Sequence, residues 1–195
     1  MAIKRAKVLT DEQFKGLMAS MLKGLHPERD QLMFALSYKC GLRAKEIAGL
    51  RWYDVTNAKG QILKEGELVN LPHSITKGKK SETKIVMHKL VRKCLKNLRK
   101  KSKGEYIMYA SRSPSDKMST NSLTVYMHNI YSKLGFQGAS SHSGRRTFGT
   151  KLARSCNKHG GSIVDVQRLM RHADIRTTEI YIDPSDTQKN MALAL

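Results

Sequence analysis

The chain has few prolines, few cysteines, few aromatic side chains and a shortage of acids, and it contains no long hydrophobic run. Of 195 residues, 16 are Asp or Glu, 4 are Pro and 3 are Cys. No apolar stretch approaches the roughly 18 residues that a membrane-spanning helix requires, which excludes an integral helical membrane protein. The opening Met1-Ala2-Ile3-Lys4-Arg5-Ala6-Lys7 is basic but lacks the apolar core of a secretory leader. Cys40, Cys94 and Cys156 lie far apart with no C-x-x-C spacing, so neither a disulfide framework nor a structural zinc site is legible. Scarce proline and the lack of any biased tract argue against a disordered or fibrous chain. The expectation is a soluble, cytoplasmic protein with no metal and no membrane partner.

What the chain has in excess is positive charge. Lys and Arg number 36 against 16 acids, a formal net charge of +20. That exceeds what solubility asks for, and such a field attracts polyanions, nucleic acid first among them. The excess is uneven: Lys77 to Lys103 holds 12 basic residues against the single acid Glu82. A solvated helix face could read the same way, but a polyanion-binding patch is the leading reading.

Apolar spacing organises the chain into mostly helical segments. Thr10 and Gln13 have the spacing of a capping box, and Phe14, Leu17, Met18, Met21 and Leu22 share one stripe, predicting a helix from Asp11 to about Lys23. Pro27 near the start and Gly41 as C-cap bracket a second, Glu28 to Lys39. A short third should run from Ala44 to Leu50. Beyond Asp54, Gly60, Gly66, Pro72 and Gly78 punctuate short segments (Glu67 to Leu71, Ser74 to Thr76, Lys84 to Met87) that suit a small antiparallel sheet. Helical spacing returns at Leu90, Cys94 and Leu98, a strand is expected at Tyr106 to Tyr109, and helices at Thr120 to Leu134, Gly144 to Cys156 and Ser162 to Arg171. The fold class is therefore α+β: one mostly helical domain, residues 1–195, with a small sheet near its middle and no internal repeat.

Four patches hold polar residues that packing alone explains poorly. They are Gly41-Leu42-Arg43-Ala44-Lys45-Glu46-Ile47-Ala48-Gly49-Leu50-Arg51-Trp52, Thr76-Lys77-Gly78-Lys79-Lys80 at the expected hairpin tip, Ser141-His142-Ser143-Gly144-Arg145-Arg146-Thr147-Phe148-Gly149-Thr150, and Leu169-Met170-Arg171-His172-Ala173-Asp174-Ile175-Arg176-Thr177-Thr178-Glu179-Ile180-Tyr181. Taken singly, Arg43 would be an ordinary surface ion-pair residue, His172 a core histidine and Tyr181 a core aromatic. Together they resemble the tyrosine recombinase family, the phage integrases and their relatives. That family is marked by G-L-R-x-x-E-I/L-x-x-L, a hairpin Lys, an H-x-x-R helix start, and L-G-H-x-x-I-x-T-T-x-x-Y. Arg43, Lys77, His142, Arg145, His172 and Tyr181 stand in that order, with His172 and Tyr181 nine apart, over about residues 8 to 182. Three departures stand out: Gly144 replaces an apolar residue, Arg146 stands where a His is common, and Met170-Arg171 replaces Leu-Gly.

The resemblance implies a catalytic domain of a small member lacking the N-terminal core-binding domain, with a tail at 183–195. It implies a metal-free reaction, without any cofactor or ATP, that cuts DNA through a 3′-phosphotyrosyl intermediate. Breaking a phosphodiester by direct attack builds charge on non-bridging oxygens, and guanidinium groups meet that charge bidentately. Arg43 and Arg145 would form that clamp, with His172 as a third donor. Tyr181 would be the nucleophile, His142 the acceptor of its proton and Lys77 the general acid for the leaving 5′-oxygen, unless a neighbouring Lys takes that place. Glu46, three residues after Arg43, would orient it. Lys93, Lys96, Lys100 and Lys101 are expected to grip DNA without sequence preference. Arg146, Arg171 and Arg176 read equally as phosphate contacts or surface charge.

Partners implied are double-stranded DNA, a tetramer on two recombination sites, and an accessory DNA-bending or directionality factor. The apolar end Met191-Ala192-Leu193-Ala194-Leu195 would dock into a neighbouring protomer, against the alternatives of a frayed end or an intramolecular dock. Integration, excision and inversion stay open. Two other functions remain alternatives: a type IB topoisomerase-like nicking and relaxing enzyme, and a DNA-binding architectural or regulatory protein that has lost catalysis.

Overall fold

The structure is a computed structural model that describes residues 5–76, 83–102 and 104–181. The chain forms two compact units, Met1–Phe148 and Gly149–Leu195.

In the larger unit, the Thr10/Gln13 capping box is formed as expected and starts α1 (Asp11–Met21). Its buried stripe of Phe14, Leu17 and Met21 packs on α2 (Pro27–Cys40), where Phe14 stacks on Tyr38 with ring centroids 3.7 Å apart. Most residues of α2 are buried, Leu32, Met33 and Ala35 fully so, which makes this helix the centre of the core. Gly41 ends it in the left-handed region, at φ 61° and ψ 29°, where glycine carries no Cβ penalty. The chain then turns at once into α3 (Ala44–Gly49) and a 3₁₀ turn at Trp52–Val55.

β1 (Leu68–Leu71) pairs antiparallel with β2 (Thr83–Val86) in the register Leu68 to Val86 and Leu71 to Thr83. α4 (Lys89–Arg99) buries Val91, Cys94, Leu95 and Leu98 against α2. Each such side chain contributes roughly 1.5–3 kcal/mol on full burial. β3 (Tyr109–Ala110) and β4 (Ser113–Lys117) form a second two-stranded pair with a register shift. α5 (Thr120–Lys133), N-capped by Ser119, packs on α3. The division between the units falls within α6 (Ser143–Ser155), and α7 (Ile163–Met170) and α8 (Arg176–Glu179) lie in the smaller unit.

The structure differs from the sequence expectation at several points. The antiparallel sheet is present as two separate two-stranded pairs. Ser74–Thr76 is a turn, not a strand, because Ile75 N–H closes onto the Pro72 carbonyl and the Thr76 hydroxyl onto that of His73. Of the expected strand Tyr106 to Tyr109, only Tyr109 belongs to a strand. Ile107 and Met108 are both wholly buried, so the segment does not alternate, and Ile107 N–H is taken by the Leu50 carbonyl. β4 and α8 lie outside the expected elements: the first, Ser-Pro-Ser-Asp-Lys, has no apolar alternation and the second is a single turn. Among the described residues no helix is long and apolar enough to cross a membrane.

Candidate active site

The arginine patch is placed by the end of α2. The N–H groups of Gly41 and Leu42 both turn back to the Leu36 carbonyl, while the Gly41 carbonyl accepts from Arg145 Nη1. Two residues on, Arg43 takes the N-cap position of α3. Glu46, in the first turn of α3, is 1% exposed and holds Arg43 twice: Oε2 accepts from the Arg43 backbone N–H at 2.8 Å and Oε1 from Nη1 at 2.9 Å. A carboxylate is seldom buried unless fully partnered, and here one guanidinium and one amide do so. Arg43 stays about one-quarter exposed and Arg145 is 5% exposed. The structure thus brings Arg43, Glu46 and Arg145 to one segment, residues 41–46.

α6 carries Arg145 on its first turn, with the Ser143 hydroxyl accepting from Ser140 N–H just before the helix. The departure at Gly144 has a packing cause: a Cβ there would lie 2.4 Å from Ser37 Oγ on α2, so only glycine lets the two helices approach this closely. Thr147 ties the helix to the start of the chain, donating to the Ser143 carbonyl and accepting from Leu9 N–H, each at 2.8 Å. His142 is exposed, with Ser141 Oγ 3.5 Å from its Nδ1. Arg146 is half-buried, with its Nε lacking a hydrogen-bond partner among the described residues. Lys77 lies outside the described residues, within the connection from β1 to β2.

In the smaller unit, α7 ends in a complete Schellman motif. Arg171 N–H returns to the Arg168 carbonyl and His172 N–H to the Gln167 carbonyl. Arg171 sits at φ 55° and ψ 47°, the only non-glycine residue at positive φ among those described. It occupies the position where the family motif has glycine, so this chain adopts the left-handed turn there at a steric cost. The turn presents His172, whose Nδ1 lies 2.9 Å from the Thr178 hydroxyl, and whose ring stacks on Tyr181 with centroids 5.9 Å apart and planes 11° apart. Tyr181 also lies over Gly149: a Cβ there would stand 3.0 Å from Tyr181 Cε1 and 2.8 Å from Met170 Cε.

The expected lysine patch divides. Lys96 and Lys100 face a cleft against residues 57–67, whereas Lys93 faces a separate pocket lined by Phe14, Met18 and Cys94. Burial pushes the Cys94 thiol up to about 11, which makes it an inert packing group. Lys101 is paired with Glu28 at 2.6 Å. Arg176 is exposed beside Asp174, 3.5 Å away.

Sequence reasoning gave no role to Thr178 or to the Gly41 carbonyl. Thr178 had a signal, the paired threonines six residues after His172, but a carbonyl acceptor leaves none. Among the described residues no group of three or more His, Cys, Asp or Glu is arranged to hold a metal ion.

The family model for the phage integrase family matches residues 7–188. A tyrosine recombinase XerA of Thermococcus kodakarensis is 29% identical over 177 residues, 90% of this chain and 57% of that protein. A tyrosine recombinase XerD of Rickettsia bellii is 24% identical over 190 residues, 91% of this chain and 60% of that protein. This chain thus spans a little over half the length of these relatives. Among solved structures, the Tn1549 transposon integrase in complex with circular intermediate DNA superposes with a TM-score of 0.75 at 17% identity, covering 100% of this chain and 67% of that one. The XerH recombinase bound to its difH substrate superposes with a TM-score of 0.72 at 18% identity, covering 96% and 53%. At such identities the likeness is one of fold.

Proposed function

We propose that this chain, which belongs to the phage integrase family, is the strand-cutting domain of a site-specific DNA recombinase acting in the cytoplasm. The observation that carries the reading is the anchoring of two guanidinium groups, Arg43 and Arg145, on one short buried segment. Their fixed charge suits the non-bridging oxygens of a phosphodiester under attack, where preorganised donors act without reorganising during the reaction.

Tyr181 Oη attacks phosphorus, a 3′-phosphotyrosyl ester forms, and the 5′-oxygen leaves with a proton from Lys77. His142 takes the tyrosine proton. The Thr178 hydroxyl, 2.9 Å from Nδ1, positions the imidazole of His172, which would donate to a phosphate oxygen. Because the ester keeps the bond energy of the cut strand, the 5′-hydroxyl of a second strand reverses the step and releases the tyrosine without ATP or metal. Arg146 and Arg171 add backbone contacts. The partners are duplex DNA and further protomers, four on two sites, joined through the segment after Tyr181, which lies outside the described residues; an accessory factor could set direction.

The test is trapping on a nicked duplex, whose released fragment prevents religation. The protein should form a covalent adduct in EDTA, and Tyr181→Phe should form none while binding DNA as before. An undiminished adduct with the Phe variant, or a strict need for Mg²⁺, would overturn the mechanism.

A further inference from the structure

Among the described residues, the proposed catalytic constellation leaves a strongly charged concavity unused. Between α4 and the loop 57–67 lies a cleft of about 610 Å³, lined by Lys64, Arg92, Lys96, Arg99 and Lys100 with Glu67 as its single carboxylate. Glu67 already accepts from Lys64 backbone N–H at 2.6 Å. Among the described residues none of the five cations forms an ion pair with an acid.

Two of the five are held in place. Arg92 Nε donates to the Leu63 carbonyl at 3.0 Å, and the Arg99 guanidinium stands 4.7 Å over the Trp52 ring. Like charges gathered in a concavity repel one another, and the low-dielectric walls focus their field outward, so the cleft is most stable with a polyanion in it. Positions 92, 96 and 99 on α4 and its C-cap Lys100 span about 12 Å at 1.5 Å rise per residue. That length matches three to four phosphates of one strand at about 3.4 Å each along the duplex axis.

We propose that this cleft binds backbone phosphates of duplex DNA other than the one being cut, since Arg43 and Arg145 do not line it. The proposal rests on the recombinase reading and narrows its DNA grip: the lysine run is not one surface, and Lys93 and Lys101 lie outside the cleft. Phosphate recognition there is sequence-independent.

The test compares two triple variants of the full chain. Lys64→Gln, Lys96→Gln and Lys100→Gln together empty the cleft of three exposed charges. Lys15→Gln, Lys23→Gln and Lys133→Gln remove the same charge from exposed positions elsewhere. Binding to a duplex of unrelated sequence is measured from 50 to 250 mM salt. The cleft variant should flatten log K against log salt by up to about 0.9 for each phosphate it no longer neutralises, and the control should change it much less. Equal losses in both variants would reduce the effect to the general field of a +20 chain and overturn the proposal. So would a parental slope in the cleft variant. If inorganic triphosphate bound the parent but not the cleft variant, while both bound DNA alike, the cleft would be a site for small polyphosphates and the proposal would again fail. Adduct formation by the parent protein reports separately on the recombinase reading.

Discussion

The arginines of the larger unit and the His172–Tyr181 pair of the smaller one are held by different means. Arg145 and Glu46 are buried, and their polar atoms are tied to backbone groups of residues 41 and 43. His172 and Tyr181 are half-buried; they rest on a left-handed turn at Arg171, a four-residue helix and a stack of two rings. The difference fits the demands of the proposed chemistry. Groups that stabilise developing charge work best when fixed beforehand by the fold. In the proposed mechanism Tyr181 attacks, stays bound and is released, and a half-buried seat against the His172 ring suits that cycle.

The largest effects should come from the fixed half. Arg43→Ala and Arg145→Ala should each slow single-turnover adduct formation by roughly 10² to 10³, the scale for one lost transition-state donor. Arg145→Ala also removes the guanidinium donor to the buried Gly41 carbonyl, at about 1–3 kcal/mol measurable by denaturant unfolding. Glu46→Gln keeps an acceptor for Arg43 but removes the charge, and a loss of about tenfold in rate is expected. If Arg145→Ala lowered stability but left the adduct rate unchanged, this arginine would be structural and the contrast would disappear.

The seat of Tyr181 should respond to steric change. Gly149→Ala places a methyl where Met170 and Tyr181 already stand, and overpacking of this kind costs about 1–3 kcal/mol. The adduct rate should fall, and Met170→Ala in the same chain should recover it by making room. A rate untouched by Gly149→Ala would show that the tyrosine does not depend on this seat.

The legibility of the two halves differed for the same physical reasons. Local signals were plain at Thr10 and Gln13, at Gly41 and along α4, because a cap, a left-handed residue and an amphipathic stripe are each written in a few neighbouring residues. β4 carries no apolar alternation, and α8 is too short for a period, so neither leaves a trace. Arg43, Glu46, Arg145, His172 and Tyr181 were singled out by spacing within motifs, whereas what holds them was not. The Gly41 carbonyl is found only once residue 145 meets residue 41, 104 positions away. The lysine run looked like one patch in sequence because the helical period of α4, which sends Lys93 and Lys96 to different hollows, acts only once neighbouring elements pack on it.

A smaller effect tests the left-handed turn. A non-glycine residue in that region costs roughly 1–2 kcal/mol, so Arg171→Gly should raise the melting temperature by the equivalent of about 1 kcal/mol. If Arg171 also contacts DNA, the same variant should bind less tightly, and the two changes would run in opposite directions. A variant that is destabilised instead would mean that the Arg171 side chain holds the turn more firmly than its backbone strains it.

The smallest effect concerns a helix outside both halves and serves as their control. His88 caps α4 by accepting Leu90 N–H on Nδ1 at 3.0 Å, which requires that nitrogen to be unprotonated. Burial, with help from Lys39, holds the His88 imidazolium below its ordinary pKa. The folded value lies below the unfolded one, so the neutral cap's contribution is full above about pH 6.5 and is lost as pH falls toward the folded value. An N-cap is worth about 1 kcal/mol, and Asn caps without titrating. His88→Asn should therefore match the parent's stability near pH 7.5 and exceed it near pH 5, by less than about 1 kcal/mol. His26, also lowered by burial, leaves some acid sensitivity in both proteins. If the difference between parent and variant were the same at both pH values, the cap would not titrate, and the acid loss would have to be assigned to His26 or to the carboxylates.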